Sequence, residues 1–397
     1  MSKVIIIGGG LSGVVSAIYA KRKGNDVTIL ERNSDILKKL LVTGNGRCNY
    51  FNDDQDIKHY HSDNMEIVNK IITEENINEL SKFYDEIGIV PKIKNSYYYP
   101  YSNQAISVKD ALVNELEKLN IEIICNYLVE DIKYNGNFII NDELISDKLI
   151  ISTGSKAYPK TGSDGMGYKF LKELGHNITK INPALTALKS NNKYLKELAG
   201  VRCEAKVSLY ENNKLLKEEI GELQLTDYGL SGICTFNVSY LINKNENDKY
   251  VLVNFMPFIN TKEEFVNYIK ERNKIVKQRT ISKLLEGILN KKIVDVILKT
   301  SDINANLMLD DLNDNQINKL AENVINYKFI ITGTNSFDKS QVCTGGLKLT
   351  EIDPKTMMST KINNLYITGE LLDVDGDCGG YNLTFAFISG YLSGSDC

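Results

Sequence analysis

Residues 3–24 read KVIIIGGGLSGVVSAIYAKRKG, and this stretch decides the fold. Val4–Ile7 is an apolar run suited to a strand buried on both faces. Gly8, Gly10 and Gly13 follow at Gly-x-Gly-x-x-Gly spacing, Val14 to Lys23 reads as a helix, and Gly24 stops it. A second strand, Val27–Leu30, carries Glu31 at its tip, eighteen residues beyond Gly13. Such a unit suits a dinucleotide. Gly8 allows the tight turn, Gly10 lets the backbone approach a pyrophosphate, and Gly13 lets helix and strand pack closely. Unpaired N–H groups at the helix start face the phosphates, and Glu31 can accept hydrogen bonds from a ribose. Arg32 follows Glu31, and the unit by itself does not separate FAD from NAD.

Working outward, Ser107 is expected to cap a helix through VKDALVNELEKLN, and Ile121–Cys125 reads as a further strand of the same sheet. Short strand-like runs at Val129–Tyr134, Phe138–Ile140 and Leu144–Ile145 predict a small antiparallel crossover that returns to a buried strand at Lys148–Thr153. From about 186 to 256 the chain is strand-like, with Glu211–Lys214 as a hairpin turn. From about 261 to 327 it is helical and charged, opening on a Thr261/Glu264 capping box. Thr280–Lys299 carries Ile281, Leu284, Leu285, Ile288 and Leu289 at helical spacing. Near the end, Leu365–Thr368 reads as a strand, and GGYNLTFAFISGYLSG as a Gly-rich turn into a last helix. The fold class is α/β: one doubly wound domain made from both ends of the chain, with an insertion of mixed β and α character.

A chain of 397 residues with 42% hydrophobic and 25% charged content is an ordinary globular protein of two or three domains. The net charge of −4, with no basic block, disfavours a nucleic-acid partner. Seven scattered Cys with no C-x-x-C fit reduced thiols. Neither a signal-like opening nor a membrane-length apolar run is present, so a cytoplasmic protein with no membrane partner is expected. His59 and His61 lack further metal-type neighbours in sequence and read as solvated loop residues, and His176 reads as a helix C-terminal cap. No metal site is expected. The Tyr run Ser96–Ser102 suits either a substrate pocket or a packed aromatic loop.

A second Gly-x-Gly-x-x-Gly is missing, so one dinucleotide domain is expected. Four more blocks bear on which dinucleotide it holds: KKLLVTGNGRCN at 38–49, IISTGSKAYPKTGSDGMGY at 150–168, GELQLTDYGLSG at 221–232, and the long block 341–394. Together they resemble the aminoacetone-oxidase-like family of FAD-dependent oxidoreductases, which includes the bile-acid-inducible N-type flavoproteins. The resemblance covers nearly the whole chain. It implies a glutathione-reductase-type FAD-binding Rossmann domain with an inserted β-rich domain and a helical subdomain. The implied divisions are 1–183 and 331–397 for the FAD-binding parts, 184–258 for the β-rich insert, and 259–330 for the helical piece.

The resemblance also implies site residues. Gly8, Gly10, Leu11, Ser12 and Gly13 would serve the pyrophosphate, and Glu31, Arg32 and Val129 would complete the first contact region. Lys39, Gly44, Gly46, Arg47, Cys48 and Asn49 would form a second contact loop. Thr153 and Gly154 match an Ala-Thr-Gly block in which Ser152 replaces Ala. Gly369 and Glu370 would approach the ribityl chain and pyrophosphate, and Gly380, Tyr381, Asn382 and Leu383 the flavin ring. Asp227 stands where many relatives carry His.

The expected function is hydride or two-electron transfer between FAD and a small organic substrate, including reduction of a C=C bond with NADH or NADPH as transient donor. The alternatives are an oxygen-using amine oxidase that releases peroxide, a flavoprotein acting on RNA, and a non-enzymatic dinucleotide sensor. Cys48 and Cys378 as a redox pair would make a disulfide reductase, although the spacing favours buried structural thiols. No catalytic acid or base, and no oligomeric state, is legible.

Overall fold

The computed structural model describes residues 1–397 apart from 244, 246 and 277. The chain divides into two compact units, one of residues 1–183 with 337–397 and one of residues 184–336. No helix among the described residues is long and apolar enough to cross a membrane.

The first unit is built on a parallel five-stranded sheet. Its strands are β1 (Lys3–Ile7), β2 (Asp26–Leu30), β3 (Glu122–Ile124), β4 (Lys148–Ile151) and β5 (Leu365–Ile367), in the order β5-β4-β1-β2-β3. The register sets Ile6 beside Ile150 and Ile29, and Ile150 beside Tyr366. Val4–Ile7 is fully inside, as an apolar run between two covered faces requires. Helix α1 (Leu11–Arg22) follows β1 directly, and its residues from Leu11 to Ala20 are all buried. The last helix, α2 (Tyr381–Asp396), lies along it, with Ser16 Oγ 2.8 Å from Ser393 Oγ. Both ends of the chain therefore form one layer system, and the C-terminal edge of the parallel strands collects the glycine-rich turns.

Two local expectations change. The helix after the Tyr run is Ala105–Lys118 with Gln104 as its N-cap, so Ser107 sits inside the first turn. The chain reverses earlier, through Asn103 at φ 59°, and the Ser107 hydroxyl bonds Ser102 Oγ at 2.7 Å instead of capping. The antiparallel crossover is present as Ile132–Tyr134, Phe138–Ile140 and Leu144–Ser146, and Val129 precedes it without joining a strand.

The second unit is a closed antiparallel barrel with helices. Its strands run in the order Leu188–Ser190, Gly229–Ser231, Lys214–Leu225, Arg202–Glu211, Lys249–Asn254 and Tyr327–Thr334. Glu211 pairs with Lys214 at the expected hairpin turn. The capping box at Thr261 and Glu264 opens helix Lys262–Ile275. Thr280–Lys299 is not one helix. It is Ile281–Glu286 and Lys291–Thr300, parted at Gly287 and restarted by Asn290, whose side chain accepts from the Lys292 N–H at 3.0 Å. The divisions expected at 258/259 and 330/331 also change. Val207, Val251 and Val253 of the barrel share one core with Phe265, Leu285, Ile297 and Leu320 of the helices. A cut at 330 would split strand Tyr327–Thr334, which closes the barrel.

Candidate functional site

The glycine turn between β1 and α1 forms as its spacing dictates. Gly10 is the N-cap of α1, no side chain caps it, and no acidic residue occupies the first turn. Helix geometry leaves the first N–H groups without intrahelical partners, and the positive end of the macrodipole adds to them. A Cβ on Gly10 would meet nothing within 4 Å, so the space in front of these donors is open. A Cβ on Gly13 would collide with the Gly8 carbonyl and with Ser152 Oγ. Ser152, the departure from Ala-Thr-Gly, donates to the carbonyls of Ile7 at 3.1 Å and Gly8 at 2.9 Å, tying the end of β4 to the turn.

Glu31 is buried, and its carboxylate is already engaged by the chain. One oxygen accepts the Gly9 N–H at 2.8 Å, and the other accepts the Asn33 N–H and side-chain amide at 2.8 and 2.7 Å. The oxygen bonded to Gly9 keeps a further lone pair for a ribose hydroxyl, while the other already accepts two bonds. Arg32 forms an ion pair with Asp164 at the half-exposed rim. Burial alone would raise the Asp164 carboxyl, but bonds from Arg32 and the Met166 N–H hold it below its ordinary value. Asn126 and Tyr127 donate backbone N–H bonds to Asn33 and Glu31 at 2.9 Å each, which brings the segment ending at buried Val129 alongside the ribose acid.

Three distant blocks meet at Glu370. Its Oε2 accepts from Lys39 Nζ at 2.8 Å and from Ser155 Oγ at 2.8 Å. Gly154, at φ 74°, follows β4 into this junction, and the Thr153 hydroxyl is buried with no partner among the described residues. A Cβ on Gly369 would press on Ser12 Oγ, so the Gly369 turn sits against the start of α1. The second contact loop runs through a 3-10 turn, Leu40–Asn45, and then Gly44, Gly46 and Cys48 with positive φ. Burial pushes the Cys48 thiol up to about 12, so it is an inert thiol and not a redox partner. The Asn49 amide is placed to donate to the carbonyls of Tyr98 and Phe51 at 3.0 and 2.9 Å. Arg47 is exposed, bonds the Gly44 carbonyl at 3.1 Å and stands over the Tyr99 ring at 5.2 Å.

At the start of α2, Gly380 is the N-cap at φ 98°, where a Cβ would press on the Phe51 backbone at about 2.8 Å. Again no side chain caps the helix and no acid occupies its first turn. Tyr381 is buried and Leu383 half-buried. The Asn382 amide holds the Gly376 N–H at 2.9 Å and its carbonyl at 2.8 Å, so its polar atoms position the loop before the helix.

Two histidines overturn their sequence reading. His59 and His61 are not solvated: residues 60–61 form a two-residue antiparallel ladder with 375–376, and His61 is buried against Asp375 at 3.1 Å. His59 stacks on the Tyr381 ring at 4.6 Å and bonds Asp377 at 3.2 Å. The matched spacing His-x-His and Asp-x-Asp was the available signal, although only His61 and Asp375 lie within the two-residue strands. The pairing partner three hundred residues away was not legible. His176 caps its helix through the backbone as expected, its N–H bonding the Leu171 carbonyl at 2.8 Å beyond Gly175, and its imidazole has a further place. It is buried between Glu351 at 2.9 Å and Ser359 Oγ at 3.1 Å. Burial alone would raise the Glu351 carboxyl, but bonds from Lys361, Asn177 and His176 bring it down to about 2. Among the described residues no group of His, Cys, Asp or Glu has the arrangement of a metal site.

The family described as "HI0933-like protein Rossmann domain" matches residues 2–396. A 3-dehydro-bile acid delta(4,6)-reductase of Clostridium scindens is 37% identical over 403 residues, covering 99% of this chain and 98% of that protein. A ribosomal RNA dihydrouridine synthase of Escherichia coli is 26% identical over 399 residues, covering 99% and 97%. Among solved structures, a flavocytochrome c3 fumarate reductase superposes with a TM-score of 0.51 at 12% identity, covering 100% of this chain and 78% of that one. That likeness bears on the fold alone.

Proposed function

The chain belongs to the HI0933-like family of Rossmann-domain proteins, and from that premise we propose that this FAD-dependent oxidoreductase saturates a C=C bond conjugated to a carbonyl in a small organic substrate, with NADH or NADPH as transient donor. The observation that carries the cofactor is the pair of uncapped helix starts, α1 at Gly10 and α2 at Gly380, in one parallel-sheet unit. The reaction rests on the relative from Clostridium scindens, a 3-dehydro-bile acid delta(4,6)-reductase.

The residues fit the group. The N–H groups of Leu11, Ser12 and Gly13 face the open space at Gly10 and suit a diphosphate. Glu31, Arg32 and Val129 would serve the adenosine half. The loop Lys39, Gly44, Gly46, Arg47, Cys48 and Asn49 would serve as the second contact, with Thr153, Gly154, Gly369 and Glu370 between the halves. Tyr381, Asn382 and Leu383 open α2, whose positive end favours negative charge in front of it. When bound, FAD supplies two-electron transfer. The chain's part is to fix its position, through Ser152 at the turn and Asn382 at the loop, and to bias the charge around it.

Dihydrouridine formation also saturates a C=C bond beside a carbonyl, so the two relatives' activities share a reaction and differ in the substrate's carrier. The balance of 47 Lys and Arg against 51 Asp and Glu favours the small substrate. Anaerobic mixing of FAD-loaded protein with NADH or NADPH should bleach the visible flavin band. Adding a steroid 4,6-dien-3-one acid should restore the band, and adding uridine-containing RNA should not. Restoration by RNA alone would transfer the reading to RNA, and restoration only by oxygen would make the protein an oxidase.

A further inference from the structure

We propose that Asp54, His59, Asp377, His61 and Asp375 form a proton relay between solvent and the buried ground beside the first turn of α2, supplying the proton that saturation of a C=C bond consumes. The proposal rests on the reading of that helix start as the redox end of the site.

The five groups alternate carboxylate and imidazole, three of the four steps being hydrogen bonds and one a longer contact. Asp54 Oδ2 lies 3.1 Å from His59 Nε2, and His59 Nδ1 lies 3.2 Å from Asp377 Oδ2. The other Asp377 oxygen faces His61 Nε2 across 3.5 Å, an ion-pair contact without hydrogen-bond geometry that must shorten for a proton to pass, and His61 Nδ1 lies 3.1 Å from Asp375 Oδ2. Side-chain exposure falls from 51% at Asp54 through 22% at His59 to 5%, 8% and 2% at Asp377, His61 and Asp375. At the inner end, Asp375 Oδ1 is buried with no hydrogen-bond partner among the described residues. An imidazole accepts a proton at one nitrogen and releases one from the other, so this order passes protons with little side-chain movement.

The ladder between residues 60–61 and 375–376, with the Asp377 N–H bonded to the His59 carbonyl at 2.9 Å, holds the four inner groups on hydrogen-bonded backbone, and Asp54 joins them from the preceding loop. Gly376 is gripped in turn by Asn382, and His59 lies flat on Tyr381 with the rings 16° apart, so the relay is fastened to α2. A purely structural His–carboxylate contact looks different. His176 ends at Glu351 on one side and Ser359 on the other, with its side chain fully buried, and the outward neighbour of Glu351 is the Lys361 ammonium at 2.9 Å instead of another carboxylate or imidazole. The charged neighbours of the relay are Lys58, which pairs with Asp56 at 3.0 Å and Asp54 at 3.9 Å, and Asp373, which accepts the Asp63 N–H at 3.1 Å.

The chemistry balances. Saturating one C=C bond breaks a π bond and forms two C–H bonds. The reduced nicotinamide dinucleotide is oxidised and provides the electron pair with one hydrogen nucleus. The second proton comes from water, and the relay delivers it.

The first test needs neither cofactor nor substrate. In the full chain, the histidine ring protons of His59 and His61 are followed by NMR across pH, in the native protein and in Asp377→Asn, which keeps the side chain's shape. Coupled titration in the native protein, resolved into two independent curves by Asp377→Asn, is the expected result. Independent curves in the native protein overturn the relay, as does coupling that survives Asp377→Asn. The second test compares half-reactions of the FAD-loaded protein. Asp377→Asn should slow reoxidation by a steroid 4,6-dien-3-one acid about 100-fold more than it slows reduction by NADH, and should enlarge the solvent deuterium isotope effect on reoxidation. Equal slowing of both halves overturns the relay. Native protein that reduces no dienone overturns the proposed function, while coupled titration would still support the relay.

Discussion

The two glycine-opened helices of the nucleotide-binding unit begin alike and are held differently. At α1 the turn is shaped mostly within residues 3–37, with Ser152 strapping it and the Gly369 turn set against Ser12. At α2 the turn is shaped by segments three hundred residues apart: the Phe51 backbone behind Gly380, and the Tyr60–His61 strand paired with Asp375–Gly376. The first is a local device for binding an anion. The second is a tertiary device that sets titratable groups beside a helix start. A motif therefore announces the first, and only the folded chain assembles the second.

The largest test of the contrast is steric. Gly13→Val would drive methyl groups into the Gly8 carbonyl and Ser152, and should cost about 3 kcal/mol of stability along with FAD retention, read by urea unfolding and flavin content. Gly10→Ala, which points into open space, should leave the unfolding midpoint unchanged and weaken only FAD binding. Equal loss of stability in both variants would break the picture of a turn packed behind and open in front.

A second variant separates a sealed histidine pair from the graded one at α2. Folding depresses the Glu351 carboxyl from 4.5 to about 2, so its stabilisation is complete above about pH 4.5 and is lost as pH falls toward 2. Glu351→Gln should therefore cost roughly 2–3 kcal/mol at neutral pH, with the difference from native protein shrinking below pH 4.5 in urea titrations. A penalty independent of pH would mean that packing, not charge, is lost. Asn382→Ala removes both bonds to Gly376 and should cost about 1–2 kcal/mol, with the His59 and His61 ring signals shifting as the ladder loosens. Unchanged signals would detach the loop from the helix. The smallest effect belongs to Ser152→Ala, which loses a strap to the glycine turn and should cost about 0.5–1 kcal/mol by urea unfolding with flavin content unchanged.

The same contrast explains what could be read in advance. The parallel strands, α1, the hairpin at Glu211–Lys214 and the Thr261 capping box are local patterns, and each carries its own signal. The joining of both chain ends followed from Leu365–Thr368 resembling a second strand of the same sheet. Barrel closure by Tyr327–Thr334 was hidden, because a strand after a long helical stretch gives no sign of which edge it will pair with. The break after Glu286 was missed because apolar spacing continues across Gly287 although the backbone does not. His59 and His61 were misread, and the side-chain partners of His176 missed, because burial and partners come from residues far along the chain, and isolated histidines carry no periodicity.

The most direct test is the flavin content of purified protein beside Gly10→Asp, which adds a negative charge in the open space before the α1 donors without touching the core. Native protein that is yellow with stoichiometric FAD, and a Gly10→Asp variant that keeps its unfolding midpoint but no longer binds FAD, is the predicted pair of results. Colourless native protein that refuses added FAD, or a Gly10→Asp variant that holds FAD as tightly as the native chain, would contradict it.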